Sequence, residues 1–334
     1  MNTLQENHFD TTRGMHYRYY VSPIGDDTPP KYTLLLCHGF PDDARLWQFV
    51  VPSLLKSGLR IVVPDLLGYG GTSKPTDPKE YNWELMVKDM VEVLEVEGIL
   101  GGVIPMGHDW GSAFAQRFYM LETDRCAGLI NLCVALMEPF ADNFDVDAVN
   151  EYTEKAIGYP VYAYWKLFLP EDGAKLMENR LESLWYVMHG DQEDWMKKMF
   201  CVHGAMREFI EADRQDVPLK PFAQDEKLKN EWIQSRKESG MIGPTNWYRA
   251  LAYNHQLETE KKLNAKLEKP YLFIGADGDS VCRTDAIEGV KQKGLTPDLS
   301  VHEVHSGHWC PYEKPEEIGK IVVDWCNEKG FSTV

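Results

Sequence analysis

Short apolar runs that alternate with helical stripes, a helical middle section that interrupts them, and a return of the alternation toward the C-terminus predict an α/β protein. The expected architecture is a doubly wound, mostly parallel sheet carrying an inserted helical domain. Four runs in the first part, Tyr32 to Cys37, Arg60 to Pro64, Val103 to Met106 and Leu129 to Val134, have the length and apolar continuity of strands buried on both faces. Between the second and third lies Trp83 to Val96, where Leu85, Met86, Met90, Val91 and Leu94 form an apolar stripe at helical spacing. From Glu138 to Asn254 the strand pattern stops, and Tyr, Trp, Met and charged residues recur with helical spacing. Strand runs return at Tyr271 to Ala276 and Ser300 to Val304, followed by an amphipathic helix over Pro315 to Asn327. The predicted organisation is a core built from residues 1–137 and 255–334, split by a helical cap over 138–254. No internal repeat of about 20–50 residues is visible.

Composition narrows the function. The 334 residues, 43% hydrophobic and 26% charged, suit an ordinary globular protein. With 35 Lys and Arg against 52 Asp and Glu, the net charge of −17 repels a phosphate backbone, which argues against nucleic-acid binding. Seven cysteines, at 37, 126, 133, 201, 282, 310 and 326, include no CxxC pair, so zinc and dithiol chemistry have no sequence support. They read as buried thiols of a reducing compartment. The start, MNTLQENHFDTTRG, lacks the features of a signal peptide, and no apolar run approaches the ~20 residues of a membrane span. A soluble, cytoplasmic protein is expected, with homodimerisation left open.

The chemistry concentrates in a few turns. Gly107-His108-Asp109-Trp110-Gly111 follows a predicted strand and precedes SAFAQRFYML, a good helix. In that setting G-x-nucleophile-x-G is a nucleophile elbow, whose glycines permit a sharp turn that lifts the central side chain above the sheet. The bland alternative is a glycine-bounded turn with a helix-capping Asp. No GxSxG occurs, and Ser112 lies beyond the elbow. His38-Gly39-Phe40-Pro41 closes the first clear strand and can aim the Phe40 N–H at the same point as the Trp110 N–H, forming an oxyanion hole. Downstream, Gly275-Ala276-Asp277-Gly278-Asp279 ends one strand and Gly307-His308-Trp309 follows the next. Nucleophile, acid and His thus occur in the order of a hydrolase triad, with Asp277 and Asp279 both candidates for the acid. Gly68-Tyr69-Gly70-Gly71 fails the GxGxxG spacing of a phosphate loop because position 73 is Ser, and it is assigned no chemistry.

Taken together, HGFPD, DLLGYGGTSKP, GHDWG, GADGDS and SGHW resemble the signatures of the α/β-hydrolase superfamily over nearly the whole chain. An Asp at the elbow resembles the branch of epoxide hydrolases and haloalkane dehalogenases. The resemblance implies that Asp109 is the nucleophile, that Asp279 rather than Asp277 is the acid, and that His308 is the base. It gives His108 a structural place in the turn, and makes Gly68 to Gly71 a loop after the fourth strand. No cofactor and no metal are implied.

Asn246-Trp247-Tyr248-Arg249 resembles the NWYR motif of epoxide hydrolases, in which Tyr248 would be one of two tyrosines polarising the ring oxygen. The second is assigned to Tyr164, in Tyr164-Trp-Lys-Leu-Phe, with Tyr162 in reserve. Phe40, Trp110, Tyr164 and Tyr248 would contact the substrate. The implied reaction takes an apolar, aryl or alkyl epoxide and water to a vicinal diol through an Asp109 ester, in detoxification or secondary metabolism. A haloalkane dehalogenase using the same Asp109 is the alternative enzyme, and a catalytically silent small-molecule-binding protein is the alternative of a different class.

Overall fold

The computed structural model describes residues 1, 3–23 and 31–332. Strands β1 (Gln5–Asp10) and β2 (His16–Val21) form an antiparallel hairpin, with Gln5 opposite Val21, at one edge of an eight-stranded sheet. β3 (Thr33–Cys37), β4 (Arg60–Pro64), β5 (Val103–His108), β6 (Leu129–Leu132), β7 (Tyr271–Ala276) and β8 (Leu299–Val304) complete it in the order β1-β2-β4-β3-β5-β6-β7-β8. All pairings from β4 to β8 are parallel. β3 to β7 are buried at every position, as strands covered on both faces must be. β8 is an edge strand and largely exposed.

The chain steps from β3 outward to β4 and then back past β3 to β5. The crevice at the carboxyl ends of β3 and β5 is therefore a topological switch point, where ligand sites of open α/β sheets form.

Helix α1 spans Trp83–Val96, as its apolar spacing predicts, but its buried face differs from the stripe read from sequence. Trp83, Met86, Val87, Met90, Val93 and Leu94 are buried, at the spacings of one helical face, while Leu85 and Val91 lie at its margin. Asp89 shares that face because the hairpin satisfies it. Arg13 Nε donates to both carboxylate oxygens at 3.1 Å and Tyr17 Oη donates at 3.1 Å.

Contacts divide the chain into two compact units: Met1–Ser73, Trp83–Pro139 and Thr259–Val334 form the core, and Lys74–Asn82 with Phe140–Glu258 form a helical unit. In the helical unit, Asn82 Nδ2 donates to the His255 carbonyl and Gln256 Nε2 to that of Tyr81, both at 2.8 Å, which binds the short 74–82 segment to it. Within the core, helix α2 (Trp110–Leu121) carries Arg117, whose guanidinium donates to both Glu260 oxygens at 2.9 and 2.8 Å and to the Met137 carbonyl at 2.7 Å. One cation thus holds the core chain where it leaves for the helical unit and where it returns.

Both partners of this pair are fully buried, so removing one strands a charge. Glu260→Ala is expected to cost about 3–5 kcal/mol of stability, read as a lowered denaturation midpoint in urea. A change under about 1 kcal/mol would contradict this placement of the pair.

Among the described residues no helix is long and apolar enough to cross a membrane.

Candidate active site

At the end of β5 the backbone of Asp109 takes φ 53° and ψ −124°, a conformation that L-residues avoid, and α2 begins at the next residue. Two glycines make room for this elbow. A Cβ on Gly111 would meet the Cys37 carbonyl oxygen at 2.1 Å, and one on Gly39 would meet the Asp109 Cβ at 2.5 Å. Any larger side chain would push α2 off β3 or the turn after β3 off Asp109.

Backbone donors hold the Asp109 carboxylate: the Trp110 N–H hydrogen-bonds it, and the Phe40 N–H reaches Oδ1 at 2.8 Å. The other, Oδ2, lies 3.7 Å from His308 Nε2. His308 Nδ1 in turn is 2.5 Å from Asp279 Oδ2, while Asp279 Oδ1 accepts the N–H groups of Val281 at 2.9 Å and Cys282 at 2.8 Å. Of the two candidate acids, then, Asp279 contacts His308. Asp277 faces the exposed His305 at 2.7 Å instead.

Burial alone would lower the His308 pKa, but the Asp279 charge and hydrogen bond, with the Asp109 charge, raise it to about 9. Burial works against ionisation of Asp279 too, yet the imidazole and the two N–H donors hold its carboxyl below the usual range. For Asp109 burial wins and its carboxyl is raised, with His308 and the Trp110 and Phe40 N–H groups opposing.

His108 is enclosed behind the elbow. Burial, with His308 alongside, drives its pKa down to about 3, so at neutral pH it is uncharged. Its Nε2 lies 2.8 Å from the His308 main-chain carbonyl, which the neutral ring serves as a donor; the Cys133 thiol donates to the same oxygen at 3.3 Å. The His308 backbone is thereby fixed from behind. Asp42 fixes it from the side by accepting Trp309 Nε1 at 2.9 Å and Tyr312 Oη at 3.3 Å. The loop at Gly68 to Gly71 does follow the fourth strand. Buried Asp65 organises it, accepting the Gly71 and Ala44 N–H groups and Arg18 Nε.

In the helical unit, Tyr164 immediately precedes helix α3 (Trp165–Phe168) and Tyr248 lies within helix α4 (Ile242–Ala252). Their rings meet edge to face, centroids 6.0 Å apart at 85°, with Phe168 against both at 5.2 and 4.9 Å. Tyr162 packs against Trp165, centroids 4.8 Å apart at 31°, and meets Tyr164 edge to face at 6.5 Å. Asn246 and Arg249, the polar members of NWYR, brace this pair. Arg249 Nε donates to the Leu169 carbonyl at 2.8 Å and one terminal nitrogen to Pro170 at 2.9 Å, just beyond α3. The other reaches Asn246 Oδ1 at 3.0 Å, and Asn246 Nδ2 donates to the carbonyls of Pro75 and Thr76.

The core unit therefore gathers Asp109, His308, Asp279, Phe40 and Trp110, and the helical unit gathers Tyr164 and Tyr248. Sequence reasoning assigned no role to Asp42, read Cys133 and Cys282 only as buried thiols, of which Cys133 is buried and Cys282 is partly exposed, and left the bracing by Asn246 and Arg249 unread. The Asp42 contact had one visible signal, the acidic residue closing HGFPD; the thiols had none.

A family model described as alpha/beta hydrolase fold matches residues 32–315. The mouse protein named Bifunctional epoxide hydrolase 2 is 29% identical over 297 residues, covering 87% of this chain and 51% of its own length. The chain thus spans about half the length of that relative. Epoxide hydrolase A of Mycobacterium tuberculosis is 27% identical over 319 residues, covering 94% of this chain and 95% of its own. Among solved structures, an epoxide hydrolase from an endophytic Streptomyces superposes with a TM-score of 0.80 at 22% identity, covering 99% of this chain and 98% of that one.

Proposed function

The chain belongs to the alpha/beta hydrolase fold family, and on that premise we propose that it is an epoxide hydrolase acting through a covalent Asp109 ester. The observation that carries this reading is the division of labour on the Asp109 carboxylate. Oδ1 is held by the Phe40 N–H, and Oδ2 is left beside His308 Nε2. Oδ2 attacks an epoxide carbon, the C–O bond of the ring breaks, and the electron pair goes to the ring oxygen. The phenols of Tyr248 and Tyr164 hold that oxygen and one supplies its proton. The product of this step is an alkyl ester of Asp109.

In the second step His308 Nε2 takes a proton from water as the water attacks the ester carbonyl carbon. Oδ1, now the ester carbonyl oxygen, becomes an oxyanion already seated on the Phe40 and Trp110 N–H groups. Its collapse breaks the ester bond, the departing alkoxide takes the proton held on His308 Nε2 to give the vicinal diol, and the Asp109 carboxyl returns its proton to the tyrosinate left by the first step, restoring both groups. Asp279 holds the imidazole and balances its charge. The names of relatives such as the Mycobacterium tuberculosis protein support an epoxide as substrate. The aromatic surroundings of Tyr164 and Tyr248 suit apolar aryl or alkyl groups.

The route predicts that Asp109 acquires oxygen from solvent. Repeated turnover in heavy-oxygen water should place the label in the Asp109 peptide, seen by mass spectrometry. Label confined to the diol, with none in the protein after many turnovers, would exclude the ester.

A further inference from the structure

We propose that Asp279, Cys282 and His308 form an inhibitory site for a thiophilic divalent cation of the Zn2+ or Cd2+ class. One ligand atom from each, a carboxylate oxygen, the Sγ and a ring nitrogen, lie within 4.8 Å of one another. The turn after β7 creates this grouping. Asp279 Oδ1 accepts the N–H groups of Val281 and Cys282, which folds the chain back so that residue 282 returns to the carboxylate that holds His308.

Cys282 alone of the seven cysteines is not buried, so the trio has an entry path. The neighbouring trio His108, Cys133 and His308 is enclosed on all members and contains no carboxylate. One oxygen, one sulfur and one nitrogen suit a borderline or soft tetrahedral ion with water as fourth ligand, not Mg2+ or Ca2+, which prefer oxygen ligands. Bonds of about 2.0–2.3 Å put tetrahedral ligand atoms roughly 3.3–3.6 Å apart, so the Asp279–His308 pair, 2.5 Å apart, must open and the partly exposed Cys282 side chain must swing toward it. Asp109, 3.7 Å from the far ring nitrogen, adds negative charge beside the same imidazole.

Binding releases the thiol proton and the His308 Nδ1 proton to solvent, and the cation takes their place between Asp279, Cys282 and His308. The direct hydrogen bond from His308 to Asp279 is then broken. This deepens the proposed reaction by naming what switches its base off, and the inhibition it predicts rests on that reading; the binding itself does not.

The test titrates the chelator-stripped full chain with Cd2+ while following the ultraviolet thiolate-to-cadmium charge-transfer band, which needs no substrate. A saturable band of one cation per chain, competed by Zn2+ and lost in Cys282→Ser and Cys282→Ala, is expected. Methylthiolation of the accessible thiol in the unsubstituted protein should abolish the band as well, without any substitution. The Zn2+ concentration that halves turnover, measured against each variant's own metal-free rate, should rise by about tenfold or more. Absence of a band in the unsubstituted protein, or a band undiminished by all three changes, would overturn the site. A band lost as expected in a protein that turns over no epoxide would leave the site standing and remove the reading of the reaction.

Discussion

Replacing His308 by Gln is expected to let the Asp109 ester form and then persist, while steady turnover falls by about 10²–10⁴-fold, the scale of a positioned general base. Gln fills a similar volume and keeps a polar end but cannot take the water proton. The alkylation step, carried by Asp109 and the tyrosines, is spared. Intact-mass measurement of the quenched enzyme should show the protein plus one substrate, mapped to the Asp109 peptide. Steady turnover at the unsubstituted rate would refute the role of His308.

The same step has a pH signature. The free imidazole titrates at about 9 because Asp279 and Asp109 both favour its charged form against burial. Protonated, it cannot act as a base, so ester decay should slow as pH falls through its pKa. Ester formation, however, cancels the Asp109 charge 3.7 Å away, and with it one of the three carboxylates, Asp279, Asp109 and Asp42, that raise the pKa. The acid limb of single-turnover ester decay should therefore lie below the pH at which the imidazole titrates in the free enzyme, followed by NMR. Coincidence of the two would mean that Asp109 does not couple to His308.

Loss of both Tyr164 and Tyr248 hydroxyls should leave almost no ring opening, and Tyr248→Phe alone should slow alkylation by about 10²-fold or more. An opening epoxide generates an alkoxide, which is a poor leaving group until it is protonated. A phenol with a pKa near 10 can donate to it as the charge develops. Phe is a clean replacement because each ring is held by edge-to-face contacts with the other and with Phe168, which lack of the hydroxyl does not disturb. Chloride or bromide leaves unprotonated, so a haloalkane would not feel the change. Wild type and variants should be compared on an epoxide and a matched haloalkane. Halide release that ignores Tyr248→Phe, with no diol formed by the unsubstituted protein, would favour the dehalogenase.

The central sheet was legible because strands buried on both faces, such as Thr33–Cys37 and Tyr271–Ala276, are continuous apolar runs that turn residues interrupt. The β1–β2 hairpin was not. Its first strand is mostly exposed, QENHFD carries no apolar face, and only the alternation of HYRYYV around a turn with Gly14 at φ 79° hinted at pairing. The buried face of α1 departs from the apolar stripe at Leu85 and Val91, which lie at its margin, because that face runs through buried Asp89. Its partners Arg13 and Tyr17 come from that unread hairpin. In the site, spacing could pick out Asp109 and His308 but could not separate Asp277 from Asp279. Two residues apart on one loop, they are told apart by burial and by which imidazole each meets. Tyr162 and Tyr164 were ambiguous for a similar reason, since contact with Tyr248 is a tertiary fact.

The split core also has a consequence for synthesis. β6 pairs with β5 on one side and with β7 on the other, yet Leu132 and Ile274 become neighbours only after roughly 140 further residues have been made. At about 5–20 residues per second, the Leu129–Leu132 strand therefore waits on the order of ten seconds with one hydrogen-bonding edge unpaired. Such an apolar edge is a template for pairing with other chains. The nascent protein is accordingly most vulnerable to aggregation in that interval, and a holding chaperone would act on it most usefully between the emergence of β6 and the arrival of β7.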